Sequence, residues 1–365
     1  MLRPAPIVAA LPANTPFVGP ERIMRERGLS ELLRLGANES AFGPAPSAIA
    51  AMAGELERSA WYGDPDSLDL RDALARKHDC TPEHISIGSG IDDLMGLAVR
   101  AFVAPGAVAV TSRGTYPTFD YHVAGYGGTL VRVPYRSDDR PDLDGLAAAA
   151  HATSAAMVYL ANPDNPSGTF YAAGEIARFR AALPKETMFF LDEAYADFVE
   201  PSELIPNAFD LDMLRTRTFS KAYGMAGARI GYAVAHPEIV ATFQKIRLHY
   251  GLNRNAQIGA LASLRDDAFR AYVVAETAVG RAEYDALAKE LGFTTVPSRT
   301  NFVCIDVGSV ARAVAMVDAL LGDGVWIRKP GAPPLDRCIR VTVGTAPMRA
   351  AFAAAFRDVA AKVPA

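Results

Sequence analysis

The segment Thr218-Phe219-Ser220-Lys221-Ala222-Tyr223-Gly224 sets a lysine directly behind a strand-like run and ahead of Gly224, Gly227 and Gly231. A lysine held away from water, or near another cation, loses its proton readily and becomes an imine-forming nucleophile. Arg229, in the same loop, offers a planar fork suited to phosphate. A second segment, Leu191-Asp192-Glu193-Ala194-Tyr195, ends the apolar run Met188-Phe189-Phe190-Leu191 on a carboxylate. Open α/β sheets collect their ligands at that end of a strand. A third, Asn162-Pro163-Asp164-Asn165-Pro166-Ser167-Gly168, is a turn that exposes an amide at Asn165. In a fourth, Gly88-Ser89-Gly90-Ile91-Asp92-Asp93, glycines lie between a strand and an apolar helix. There the backbone N–H groups and the helix dipole favour an anion.

One chemistry uses all four segments. Asp192 can pair with a protonated pyridine nitrogen, the partner that lets pyridoxal phosphate act as an electron sink. Tyr195 and Asn165 can reach the phenolic oxygen of the same ring. Taken singly, each motif has a plainer explanation. Lys221 can be a solvated surface lysine, Asp192 a helix cap, and a short Gly-x-Gly a simple turn.

Elements that repeat in order must position these groups. Apolar runs at His84–Ile87, Ala107–Thr111, Thr129–Val133, Ala156–Ala161, Met188–Asp192, Arg215–Ser220 and Gly231–Ala235 alternate with helix-like stretches. That alternation predicts an α/β fold with a large domain, whose mainly parallel seven-stranded sheet carries helices on both faces. Beyond about residue 253 the pattern changes. One long helical stretch, Asn255 to Leu291, is followed by strands at Asn301–Val307, Val325–Arg328 and Cys338–Val343 and helices at Val310–Leu321 and Pro347–Lys362. The expected organisation is an arm and part of a small domain over residues 1–45, a large cofactor-binding domain over 46–253, and a smaller α+β domain over 254–365. Residues 1 to about 20 read as an extended arm.

Of the 365 residues, 50% are hydrophobic and 21% charged, as a globular protein with a sizeable core requires. The 37 basic and 41 acidic side chains give a net charge of −4, without the basic surplus that nucleic acid or an anionic membrane would call for. Cys80, Cys304 and Cys338 have no metal-ligand spacing, so reduced thiols and no metal site are expected. The prolines at positions 4, 6 and 12 break the only candidate signal-peptide core, and no run approaches the ~18 apolar residues of a membrane span. A cytoplasmic protein is expected.

In order and spacing, the four motifs resemble those of fold-type-I pyridoxal-phosphate aminotransferases. Phe219-Ser220-Lys221-Ala222-Tyr223-Gly224 and the ending Ile339-Arg340-Val341-Thr342-Val343-Gly344-Thr345 are most similar to the histidinol-phosphate aminotransferase subfamily. The resemblance covers about residues 15 to 360. It implies an aspartate-aminotransferase-like fold, pyridoxal 5'-phosphate as cofactor, and ping-pong transfer between an amino acid and a 2-oxo acid. By position, it makes Lys221 the lysine that binds the cofactor and shuttles the substrate Cα proton. Asp192 then partners the ring nitrogen, Asn165 and Tyr195 bind the phenolic oxygen, and Tyr116 stacks on the ring. Gly90, Ile91 and Asp92, with Ser220 and Arg229, hold the phosphate. Tyr62, in Trp61-Tyr62-Gly63-Asp64-Pro65, reaches the phosphate of the partner subunit, so a homodimer with shared sites is implied. Arg340 takes the substrate carboxylate, while Arg328, Asn38 and Phe17 line the substrate side.

The same resemblance implies histidinol phosphate as substrate, with glutamate and 2-oxoglutarate as the other pair. Phe17 stands where the subfamily carries Tyr, and its apolar ring suits an aromatic amino acid such as phenylalanine as the alternative. A lyase on the same scaffold, such as a threonine-phosphate decarboxylase, would keep Lys221 and Asp192 and is the alternative of another class. A pyridoxal-phosphate-dependent regulator would need a DNA-binding domain for which the arm leaves no room.

Overall fold

The computed structural model describes residues 2–12 and 18–364. Its strands are β1 (Leu33–Arg34), β2 (Ile85–Gly88), β3 (Val108–Ser112), β4 (Thr129–Val133), β5 (Met157–Ala161) and β6 (Met188–Asp192). They continue with β7 (Met213–Thr218), β8 (Gly231–Ala235), β9 (Thr294–Thr295), β10 (Phe302–Asp306), β11 (Val325–Trp326) and β12 (Cys338–Thr342). Seven of them form one sheet in the order β2-β8-β7-β6-β5-β3-β4. β8 alone runs against its neighbours β7 and β2; every other pairing in that sheet is parallel. The mainly parallel seven-stranded sheet is thus the one expected.

Alternation along the central strands divides the core in two. Tyr159 of β5 and Phe190 of β6 pack on one face with Leu94, Met95 and Phe119. Val158 and Leu160, with Phe189 and Leu191, pack on the other face against Leu146, Ile176 and Phe179. Strands covered on both faces read as continuous apolar runs, and β5 and β6 do so. Because successive side chains point to opposite faces, Asp192 follows Phe190 to the Tyr159 side. Glu193 turns the other way. There its carboxylate accepts from Arg215 Nη2 at 2.7 Å and Nε at 3.0 Å, and from Arg217 Nε at 3.1 Å.

Some boundaries differ from expectation. β7 ends at Thr218, two residues before the predicted end, and so leaves Ser220 and Lys221 in the loop that follows. The single helix expected from Asn255 to Leu291 is two, Arg254–Leu264 and Asp267–Glu290. Asp266 separates them by capping the second, its side chain accepting from Phe269 N at 3.1 Å. The predicted extended arm contains a helical turn, Pro6–Ala9, and the helix Pro20–Arg27 starts at its end. Phe17 lies outside the described residues.

The chain ends meet in a second core. β1 pairs in parallel with β11, and β10 lies between β12 and β9 in an antiparallel sheet. Leu35 joins Val303, Ile305, Val341, Phe352 and Phe356 in one apolar cluster. The loop after β1 is thereby carried to the end of the large sheet. The approach is close at Gly224, whose φ is +69° and where a Cβ would lie 1.9 Å from Gly43 O. Only glycine satisfies both conditions.

Glu193→Ala is expected to lower stability by about 3–5 kcal/mol, because it leaves buried guanidinium groups without their counter-charge. Urea unfolding measures this. A loss below ~1 kcal/mol would show that the cluster is relieved by water.

Candidate active site

A cavity of about 340 Å³ opens at the carboxyl ends of β5, β6 and β7, where Ala161, Asp192 and Thr218 line it. Lys221, Tyr195, Asn165, Tyr116, Ile91, Asp92, Ser220 and Arg229 complete most of its wall. Of the residues singled out in the sequence, those with cofactor chemistry therefore converge, Tyr62 excepted. Tyr62 is 77% exposed and packs against Tyr250, with ring centroids 4.5 Å apart and the rings tilted by 33°.

Asp192 is buried, and two neutral donors hold its carboxylate. Tyr159 Oη donates to Oδ2 at 2.8 Å, and Ala194 N donates to Oδ1 at 2.9 Å. Among the described residues no basic side chain forms an ion pair with it. Burial pushes its pKa up to about 6, against the pull of the Tyr159 and Ala194 bonds. A carboxylate so placed is stabilised by a cationic partner at its open side.

Lys221 leans on the loop after β1: Nζ donates to Asn38 O at 3.2 Å and lies 5.5 Å from the Tyr195 ring centroid. Burial, assisted by the Arg340 charge, lowers its pKa to about 8. The amine is therefore substantially neutral in mildly alkaline solution, the state a nucleophile needs.

Asn38, expected on the substrate side, lines the wider part of the cavity and also holds three elements together. Its Nδ2 donates to Tyr195 Oη at 3.0 Å, its N to Thr342 Oγ1 at 3.0 Å, and its O also accepts from Asn301 Nδ2 at 3.0 Å. Tyr195 stands edge-on to Phe302 at 5.4 Å, and burial pushes its hydroxyl up to about 12. Asn165 Oδ1 accepts from Arg340 Nη1 at 2.6 Å. The turn that presents Asn165 is fixed by Asp164, which accepts from Ser167 N at 3.0 Å and from Tyr135 Oη at 3.0 Å.

The phosphate-like end is built on the helix Ile91–Phe102. Gly90 caps it with φ 87°, leaving the first-turn N–H groups of Ile91 and Asp92 at the cavity. Arg229, left-handed at φ 55°, faces that turn, its Nη2 3.5 Å from Asp92 Oδ2. The positive φ at residue 90 favours glycine, and a Cβ there would lie 2.6 Å from Arg229 Nη2, so the Arg229 side chain would have to move aside. Ser220 also lines the cavity, its Oγ accepting from Thr218 Oγ1 at 2.9 Å. Dipole, guanidinium and hydroxyl together suit a phosphate.

A wider space of about 650 Å³ continues from Lys221, Tyr195 and Arg340 towards Trp326, Arg328, Lys329 and Gly19. Arg328 and Arg340 exchange backbone hydrogen bonds, Arg340 N to Arg328 O at 2.6 Å and Arg328 N to Arg340 O at 3.3 Å. Arg328 Nη2 donates to Val18 O at 3.1 Å, and its guanidinium lies 5.3 Å from the Trp326 ring centroid. Burial and the Arg340 charge both lower the Arg328 pKa. Two cations on one wall call for an anionic occupant.

Pyridoxal phosphate fits these residues: a buried carboxylate open to a cation, a desolvated lysine, and a helix terminus with arginine and serine. Sequence reasoning missed Tyr159, which reads as one more core aromatic in β5. The signal available was the strand order, since β5 and β6 pair with Ala161 opposite Asp192, which puts Tyr159 diagonally across on the same face.

The chain matches the family "Aminotransferase class I and II" over residues 30–356. The histidinol-phosphate aminotransferase of Roseiflexus castenholzii is 36% identical over 364 residues, covering 97% of each chain. Histidinol-phosphate aminotransferase 2 of Ralstonia nicotianae is 35% identical over 350 residues, covering 94% of this chain and 93% of its own. The crystal structure of histidinol-phosphate aminotransferase from Sinorhizobium meliloti in complex with pyridoxal-5'-phosphate superposes with a TM-score of 0.96. It is 44% identical and covers 100% of this chain and 99% of its own.

Apoprotein is expected to capture pyridoxal phosphate faster as pH rises towards about 8, where Lys221 loses its proton, and to level off beyond. Stopped-flow absorbance reads the rate. A rise that continues to the ordinary lysine range, near pH ~10.4, would show that Lys221 is not desolvated.

Proposed function

The chain belongs to the class I and II aminotransferases, pyridoxal-phosphate-dependent transaminases, and on that premise we propose that it interconverts histidinol phosphate and 2-oxoglutarate with imidazole-acetol phosphate and glutamate. The observation that carries the substrate reading is the pair of neighbouring cations, Arg340 and Arg328, on the wall of the wide cavity. One suits the carboxylate common to amino and oxo acids. The other suits a distal phosphate, or the side-chain carboxylate of glutamate.

Bound pyridoxal phosphate supplies an aldehyde and an electron-withdrawing ring that makes the substrate Cα proton acidic. The rest belongs to the chain. Lys221 would hold the cofactor through Nζ and, as a free amine, would be the base that takes the substrate Cα proton. Asp192 keeps the ring nitrogen protonated. Asn165 and Tyr195 donate to the phenolic oxygen, and Tyr116 covers the ring. Gly90 lets the N–H groups of Ile91 and Asp92 meet the phosphate together with Ser220 and Arg229. Arg340, aligned by Asn165, grips the carboxylate as a fork. Asn38 keeps Tyr195 and the Lys221 amine in place.

The working unit of this reading is a cytoplasmic homodimer. Tyr62 supports it: with Trp61 at 66% and Tyr250 at 58% exposure it lies among large apolar side chains open to solvent, outside its own cavity. Apolar surface of this kind fits contact with a second copy, where Tyr62 would reach the partner's phosphate. Mixing Tyr62→Phe with Lys221→Ala protomers is expected to give hybrids in which one site carries both defects and the other neither. Hybrids with no intact site would rule out sharing.

Glutamate added to pure holoenzyme is expected to shift the cofactor's visible absorbance, whereas a lyase would leave it unchanged. Arg328→Ala is expected to lower kcat/KM for histidinol phosphate by roughly 10–150-fold, the worth of a charged bidentate bond, and for phenylalanine much less. Losses equal within a factor of about two on both would remove the support for a distal phosphate.

A further inference from the structure

Tyr159 stands behind the proposed catalytic groups and does not itself line the cavity. Its ring is fully buried between Phe119, stacked at 4.6 Å and 15°, and Phe190 at 5.5 Å. Its hydroxyl has one partner of consequence, Asp192 Oδ2 at 2.8 Å. A phenylalanine at this position would fill the same aromatic stack, so packing does not explain the oxygen. A hydroxyl buried this deeply is costly unless it makes a bond that matters.

We propose that Tyr159 is a positioning residue that works through Asp192, holding its carboxylate ionised and turned towards the cofactor's ring nitrogen. The two oxygens are held from different directions, Oδ1 by Ala194 N from the chain ahead and Oδ2 by Tyr159 from β5. With both bonds made, the plane of the carboxylate is fixed before any ligand arrives. Without the hydroxyl, Oδ2 keeps no protein donor, and a carboxylate in an apolar wall swings or takes up a proton. A protonated Asp192 has no charge to offer a pyridinium. Tyr159 therefore matters to the extent that the bound ring has a basic nitrogen. The inference rests on Asp192 being the partner of that nitrogen.

The test is equilibrium binding to Tyr159→Phe apoprotein, using pyridoxal phosphate and its analogue with carbon in place of the ring nitrogen. Loss of a hydrogen bond to a charged group is expected to weaken binding of pyridoxal phosphate roughly tenfold or more. The carbon analogue, which has no proton to share with Asp192, should bind variant and wild type alike. Phe119→Leu, which loosens the same stack but keeps the hydroxyl, should affect both ligands equally. If Tyr159→Phe weakens both ligands by the same factor, or neither, Tyr159 only packs and the inference is overturned. Asp192→Ala keeps that outcome distinct from a failure of the site assignment. If Asp192→Ala discriminates between the ligands while Tyr159→Phe does not, only the Tyr159 inference falls. If neither variant discriminates, Asp192 is not the partner of the ring nitrogen.

Discussion

Burying a carboxylate at the end of a central strand sets the terms for the rest of this molecule. Asp192 closes β6 between two layers of core, where its charge is largely desolvated, and two neutral hydrogen bonds only partly offset that cost. Its neighbour Glu193 meets the same difficulty on the opposite face and resolves it internally, with Arg215 and Arg217. Among the described residues, Asp192 has no such arginine. One strand end thus carries two acids of opposite design: one satisfied within the fold, the other left, in the function we propose, for a cationic ring nitrogen to complete. The strand's alternation assigns the two roles.

The same economy runs through the cavity. Lys221 is deprotonated cheaply because burial and the Arg340 charge both disfavour its cationic form. Its amine is aimed by a backbone carbonyl of Asn38, a residue from the other end of the chain. Asn38 in turn holds Tyr195 and Thr342, so the lysine loop, the phenol-bearing turn and β12 are registered to one another through one side chain and its backbone. Gly224 permits this arrangement by letting residues 43 and 44 lie against the lysine loop.

Much of this was legible beforehand. Strands buried on both faces advertise themselves as unbroken apolar runs, and all seven of the large sheet were found within about two residues. Chemistry at their ends was legible because a charged residue stands out after such a run, as Asp192 does after Met188-Phe189-Phe190-Leu191. What escaped were features fixed by contacts distant in sequence. Tyr159 looks like core until β5 is known to lie beside β6. Helix punctuation at Arg265-Asp266 lacks glycine and proline, and shows only through a cap and the bond from Ser47 Oγ to Asp266 Oδ2 at 2.7 Å. The pairing of β1 with β11 joins positions 292 residues apart (325 − 33), and no local pattern encodes it.

The central claim is that Asp192 fixes the protonation of the cofactor's ring nitrogen. The most direct measurement is the 15N resonance of ring-labelled pyridoxal phosphate bound to the wild type and to Asp192→Asn. A buried carboxylate should keep that nitrogen protonated, and a neutral amide should leave it unprotonated, with turnover lowered by orders of magnitude. A nitrogen equally protonated in both proteins would contradict the account and leave Asp192 a structural residue of β6.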